Sequence, residues 1–173
     1  MALSFEEYKP KIDKYLKCLQ RAKDVTSYGV YEALEELQYV TYENFNNPRA
    51  YGLYLVNKGF GQLFLDLWNG GLSKYVKNKK QGSDGYRNVK VLLDLLWNTT
   101  DQSQACGDDL VAHGCVSILL EVIKNEKDLD EKFLGGGVLG ILNNINHMST
   151  KHRSVYRDAN TIDILQPFLK SKN

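Results

Sequence analysis

Apolar positions recur at helical spacing along nearly the whole chain. Phe5, Ile12, Leu16 and Leu19 follow the capping box Ser4-x-x-Glu7, which predicts a first helix from about Ser4 to Lys23. After a break near Thr26 to Gly29, the stripe Val30, Ala33, Leu34, Leu37, Val40 and Thr41 predicts a second helix. Asn47-Pro48 sets a capping side chain before a proline at the first helical position, so a short third helix should end near Lys58-Gly59. Phe60 to Trp68 gives a fourth, closed by Gly70-Gly71. A long helix, Arg87 to Thr99, then precedes a short one, Asp101 to Ala112, with Thr100 as its cap, and Cys115 to Lys124 follows. The cycle returns as Glu131 to Met148, Thr150 to Arg157 with Ser149 as cap, and Asn160 to Leu169. Apolar and polar residues alternate nowhere long enough for a strand, so the expected fold is all α.

One phrase is written three times. It opens at Leu55-Val56-Asn57-Lys58-Gly59-Phe60, again at Leu110-Val111-Ala112-His113-Gly114-Cys115, and again at Val155-Tyr156-Arg157-Asp158-Ala159-Asn160. Two apolar residues, a short gap, a small residue and further apolar positions describe one helix ending and the next beginning. Units that recur in this way cannot bury their apolar faces alone and stack on their neighbours. Asn69 to Tyr86 differs in kind: Lys74 to Gly85 is polar, basic and glycine-containing, which reads as a solvated insertion or as a contact for an acidic partner.

The preceding helices align as well. Leu95-Leu96-Trp97-Asn98-Thr99-Thr100 superposes without a gap on Gly140-Ile141-Leu142-Asn143-Asn144-Ile145. This pattern resembles the armadillo repeat: an apolar helix ending in asparagine, a short polar helix, a glycine turn and a leucine-rich helix. Asn98 and Asn143 fall on the family asparagine, Gly59 and Gly114 on its glycine. The chain departs from the pattern with Glu43 at the asparagine position, Ala159 at the glycine position and Pro167 inside the last helix, where it should kink or end it.

The resemblance implies a right-handed α-α superhelix of about three repeats forming a single domain, 1–173. Residues 1–27 would be an N-terminal cap, 28–83 the first repeat with an insertion over 69–86, 87–127 the second and 128–173 the third. It further implies that the long helices line a concave groove for an extended peptide or protein segment. On the second long helix the polar positions Arg87, Lys90, Asp94 and Asn98 fall three or four apart and share one stripe. In the third unit Asn143, Asn144 and His147 lie opposite the apolar face. The alignment assembles a groove of Tyr39, Glu43, Asp94, Asn98, Leu139 and Asn143. Asparagine amides offer donors and acceptors to a partner's main chain; alternatively each caps its own helix end.

Composition narrows the function. The chain has 173 residues, 43% apolar and 25% charged, with a net charge of +1, so it lacks the basic excess that drives phosphate-backbone binding, and nucleic acid is not an expected partner. Cys18, Cys106 and Cys115 have neither disulfide nor zinc spacing. The acidic amino terminus lacks a signal pattern and no apolar run reaches membrane length, so a cytoplasmic protein without a membrane partner is expected. Gly135-Gly136-Gly137-Val138-Leu139-Gly140 matches G-x-G-x-x-G but has no strand before it, which leaves close helix packing as its reading. His113, His147 and His152 form no metal pair, and no nucleophile carries a recognisable base.

Neither enzyme, metal nor cofactor is therefore expected. The reading is a non-catalytic protein-interaction or scaffold module; the alternative is the regulatory armadillo region of a larger signalling protein, a class in which some members sense a small metabolite. Acids at Glu32, Glu35, Glu36 and Glu43 and bases at Lys151, His152, Arg153 and Arg157 are either solvated faces or the two poles of a groove. Oligomeric state is left open.

Overall fold

The computed structural model describes residues 4–43, 48–77, 83–125, 137–148 and 150–170. The protein is all-helical, with no strand among the described residues. Its elements are α1 (Phe5–Gln20), α2 (Tyr28–Glu43), α3 (Pro48–Asn57), α4 (Phe60–Leu67), α5 (Ser73–Lys77), α6 (Asp84–Gln102), α7 (Gln104–Ala112), α8 (Cys115–Asn125), α9 (Gly140–Met148), α10 (Arg153–Asp158) and α11 (Thr161–Lys170). At the start of α1 the Ser4 backbone N–H donates to the Glu7 carboxylate at 2.7 Å, as its sequence predicts.

Three helix–turn–helix joints share one geometry. Gly59 and Gly114 both have φ 78°, and each donates its N–H to the residue three back, Val56 and Val111. The carbonyls of these glycines accept from Leu63 and Ile118, opening α4 and α8. In the third joint the left-handed residue is Asn160, φ 51°, bonded to Arg157 and accepting from Ile164. Ala159, assigned to the turn by sequence alignment, is instead one residue early with φ −83°. A Cβ penalises this conformation, which glycine escapes and asparagine tolerates; backbone geometry therefore selected the neighbour.

The long helices lie side by side: α2 packs on α6, and α6 on α9. Beside them α3 packs on α7, and α8 on α11. The α3–α7 approach is close because Gly52 has no side chain; a Cβ there would fall 2.0 Å from Ser103 Oγ. Asp109 on α7 accepts the Gly61 N–H at 2.8 Å and so caps α4, satisfying one of the donors a helix start leaves open. On α6, Asn88 is fully buried and donates to the carbonyls of Val25 (2.9 Å) and Ser27 (3.3 Å), fastening the α1–α2 connection to α6.

Several predicted details are corrected. α6 begins at Asp84, capped by Ser83 Oγ accepting from Tyr86 N–H at 3.3 Å, so the stretch assigned to the first repeat's insertion contains this start and the helix α5. Val76 of α5 is buried and the Tyr75 ring lies where a Gly85 side chain would stand, so at least this part of the stretch is docked. The fourth helix is prolonged by a wide π-type turn, Trp68–Leu72, ended by Gly71 at φ 138°. Thr100 is not a cap: it is buried inside α6, where its hydroxyl donates back to Leu96 and Trp97 carbonyls. Ser103 performs the capping, accepting from Cys106 N–H at 3.4 Å. A threonine within an intact buried turn meets its own helix's carbonyls, whereas the serine sits where the backbone is extended.

The short helix of the third unit opens as a single 3-10 turn, Thr150–His152, before α10. Pro167 does not end α11, which continues to Lys170. Asn47, Ser149 and the predicted start of the third long helix at Glu131 lie outside the described residues.

One core runs between these helices, with Leu34, Leu37, Phe64, Leu95, Leu96, Leu110, Leu119 and Ile141 each 0% exposed. Cys106 and Cys115 belong to it, and burial pushes both thiols up to about 12.

Candidate functional site

The predicted groove residues are distributed along α2, α6 and the α9 segment. Tyr39 is exposed on α2, with the Lys11 ammonium 5.8 Å from its ring centre. Glu43 closes α2, and its side chain lies outside the described residues. Asp94 is half-buried on α6; desolvation raises its carboxyl above the usual value, partly countered by the positive charge of Lys90. Asn98 is half-buried, and its Nδ2 is enclosed without a hydrogen-bond partner among the described residues. Leu139 is half-buried and Asn143 exposed.

The tandem Asn143-Asn144 divides its work against expectation. Asn144, placed opposite the core by its sequence pattern, is buried; its Nδ2 donates to the Trp97 carbonyl at 3.2 Å and to Thr100 Oγ1 at 3.4 Å. It therefore ties α9 to α6, while Asn143 stays free for solvent. The one-residue difference is a 100° rotation on a helix. Only docking against α6 settles which amide faces in.

Leu139 and Asn143 line a cleft of about 790 Å³ beside α9; among the described groove side chains, Tyr39, Asp94 and Asn98 do not. The cleft is completed by Leu142 and Asn146 from α9, Arg153, Tyr156 and Arg157 from α10, and the start of α11. Tyr156 donates its hydroxyl to the Leu142 carbonyl at 2.7 Å, and burial pushes its phenol well above the ordinary range.

The late bases separate into two pairs. His152, nearly buried, meets Asp108 Oδ1 through Nε2 at 2.6 Å, and Lys151 pairs with the other Asp108 oxygen, so both anchor the Thr150–His152 turn to α7. Arg153 and Arg157, exposed, border the cleft. The early acids are similarly divided: Glu36 pairs with Lys11 at 2.6 Å and Glu35 accepts from the Tyr31 hydroxyl.

Sequence reasoning missed Trp97 and Ile162, which are 40% and 83% exposed. Trp97 was absorbed into an apolar run, although its indole lies against Gly140 at the α6–α9 seam; Ile162 stood in an ordinary amphipathic pattern. The run of bases on α10 was the available signal for the cleft. Gly140 serves close packing, since a Cβ there would stand 3.0 Å from the Trp97 ring, whereas a Cβ on Gly137 would make an ordinary contact with Leu93 at 3.5 Å. Among the described residues no group of three His, Cys, Asp or Glu could hold a metal, and no helix is long and apolar enough to cross a membrane.

Comparison with models of known families, with curated proteins and with solved structures finds no match.

Proposed function

We propose that the protein is an armadillo-like right-handed superhelix of about three units, and that it binds an extended protein or peptide segment along the water-facing side of α2, α6 and α9. The observation that carries this reading is the recurrence of one left-handed turn at Gly59, Gly114 and Asn160, each followed by a helix of the stack. Repetition of the joint supports repetition of the unit, and aligned units offer an elongated surface rather than a closed pocket. Along that surface Tyr39, Asp94 and Asn143 supply aromatic area, one carboxyl and an exposed amide suited to a partner's main chain, with the half-buried Asn98 beside them on α6. The role is scaffolding or recognition without catalysis, in the cytoplasm, where three unpaired thiols would remain reduced.

Capture from cell lysate by the intact chain, followed by mass spectrometry, tests this reading. Asn98→Ala/Asn143→Ala should reduce recovery of a specific protein partner while the melting temperature changes little. Equal recovery by both proteins would exclude the groove. A regulatory, metabolite-sensing module is the second reading, favoured by a cleft whose size lies within the range of small-molecule sites. A thermal shift with a metabolite and no protein capture would select it.

A further inference from the structure

The cleft between α9, α10 and α11 combines apolar walls with exposed guanidinium groups. Leu139, Leu142 and Leu165 give it apolar walls, and the Tyr156–Leu142 hydrogen bond joins α10 to α9 across it, so its shape is set before any ligand arrives. Arg153 and Arg157 stand one helical turn apart on α10, and neither forms an ion pair among the described residues. Their neighbours Lys151 and His152 are both engaged by Asp108, so among the described lining residues the available positive charge is that of the two arginines. Asp163 is the one acid among the described lining residues. Ile162, 83% exposed, adds a large apolar side chain to the lining.

We propose that this cleft receives a short segment of a partner protein in which apolar side chains are flanked by carboxylates. Guanidinium groups present forked donors that match a carboxylate in two parallel hydrogen bonds, and a lone ammonium cannot do this. The apolar walls take the side chain between the acids, and Asn143, Asn146 and Asn160 can hold the segment's main chain. The cleft shares Leu139 and Asn143 with the proposed groove, so this inference rests on that reading and extends it to the end of the stack.

The test uses the full chain and a fluorescent peptide alternating glutamate with leucine and phenylalanine, followed by anisotropy at physiological salt. The same peptide with lysine for glutamate is the comparison. The wild-type protein should bind the acidic peptide and not the basic one. Arg153→Glu/Arg157→Glu should weaken it by about tenfold or more, as the loss of charge-assisted hydrogen bonds implies. Ile162→Asp should weaken it as well, whereas Asn98→Ala, outside the cleft, should not. All three cleft positions are exposed, and unchanged circular dichroism of the variants verifies their folding. Equal affinity for both peptides, equal binding by the arginine variant, or no binding would each overturn the proposal. So would a wild-type dimer in sedimentation that dissociates in the arginine variant, because a second copy would then occupy the cleft. Lysate capture that depends on Asn98 while the acidic peptide fails to discriminate would sink this inference and leave the groove standing. Cleft binding without any Asn98-dependent capture would do the reverse.

Discussion

The indole of Trp97 fills the space that a side chain at Gly140 would require: a Cβ there would lie 3.0 Å from Nε1. The contact explains why a glycine, poor in helix propensity, opens α9 at this place. Gly140→Ala should change stability little, since helix propensity gained (about 1 kcal/mol) offsets displacement of a half-exposed ring. Gly140→Leu should cost about 1–3 kcal/mol by overpacking and alter Trp emission. Urea unfolding followed by fluorescence measures both; equal effects of the two substitutions would mean that the indole does not pack here.

Asn144 and Asn143 provide an internal comparison. Asn144→Ala leaves the Trp97 carbonyl without its cross-helix donor and should cost about 1–3 kcal/mol. Asn143→Ala, on an exposed position, should stay within about 0.5 kcal/mol. Chemical denaturation of the two variants in parallel decides it, and reversed costs would place α9 in the wrong rotation.

The turns predict opposite responses to similar changes. Gly114→Ala imposes a Cβ at φ 78° and should destabilise by about 1–2 kcal/mol. Asn160→Gly relieves the same strain and should be neutral or slightly stabilising. A lower melting temperature for Asn160→Gly than for Gly114→Ala would contradict the assigned joint.

Leu119, fully buried in α8, tests the shared core. Leu119→Ala should cost about 2–5 kcal/mol through lost transfer energy and a residual cavity. A loss under about 0.5 kcal/mol in urea titration would be that of a surface position and would refute its burial.

Acid should loosen the third unit through Asp108. Burial alone would raise its carboxyl, but hydrogen bonds from Lys151 and His152 together outweigh burial and hold it below its ordinary value. The folded value thus lies below the unfolded one, about 3.9. Its contribution is fully present above the unfolded value and disappears as pH falls through the folded one. The stability difference between wild type and Asp108→Asn should therefore be largest near neutrality and shrink in acid, as urea titrations at a series of pH values would show. A difference independent of pH would remove Asp108 from the linkage.

The sequence by itself determined that the chain is helical, because the spacing of Val30, Ala33, Leu34 and Leu37 is a local property of one strip of chain. It also located the capping box at Ser4 and two of the three turns, because glycine relieves a local steric conflict at Gly59 and Gly114. Asn160 was hidden because asparagine is common on helix surfaces and only the backbone reveals its positive φ. The cap at Ser103 was assigned to Thr100 because several hydroxyls compete there, and the start of α6 was placed at Arg87 rather than Asp84, because the ends of a helix are set by what α6 and α7 pack against.

The candidate site was legible only as a list of surface positions. Which of Asn143 and Asn144 is available, that Trp97 leans on Gly140, and that Arg153 and Arg157 find no ion pair among the described residues while Lys151 and His152 are engaged by Asp108 all depend on residues distant in the chain. Periodicity is written within a single helix, but exposure and pairing arise when helices meet, so only the tertiary structure could decide them.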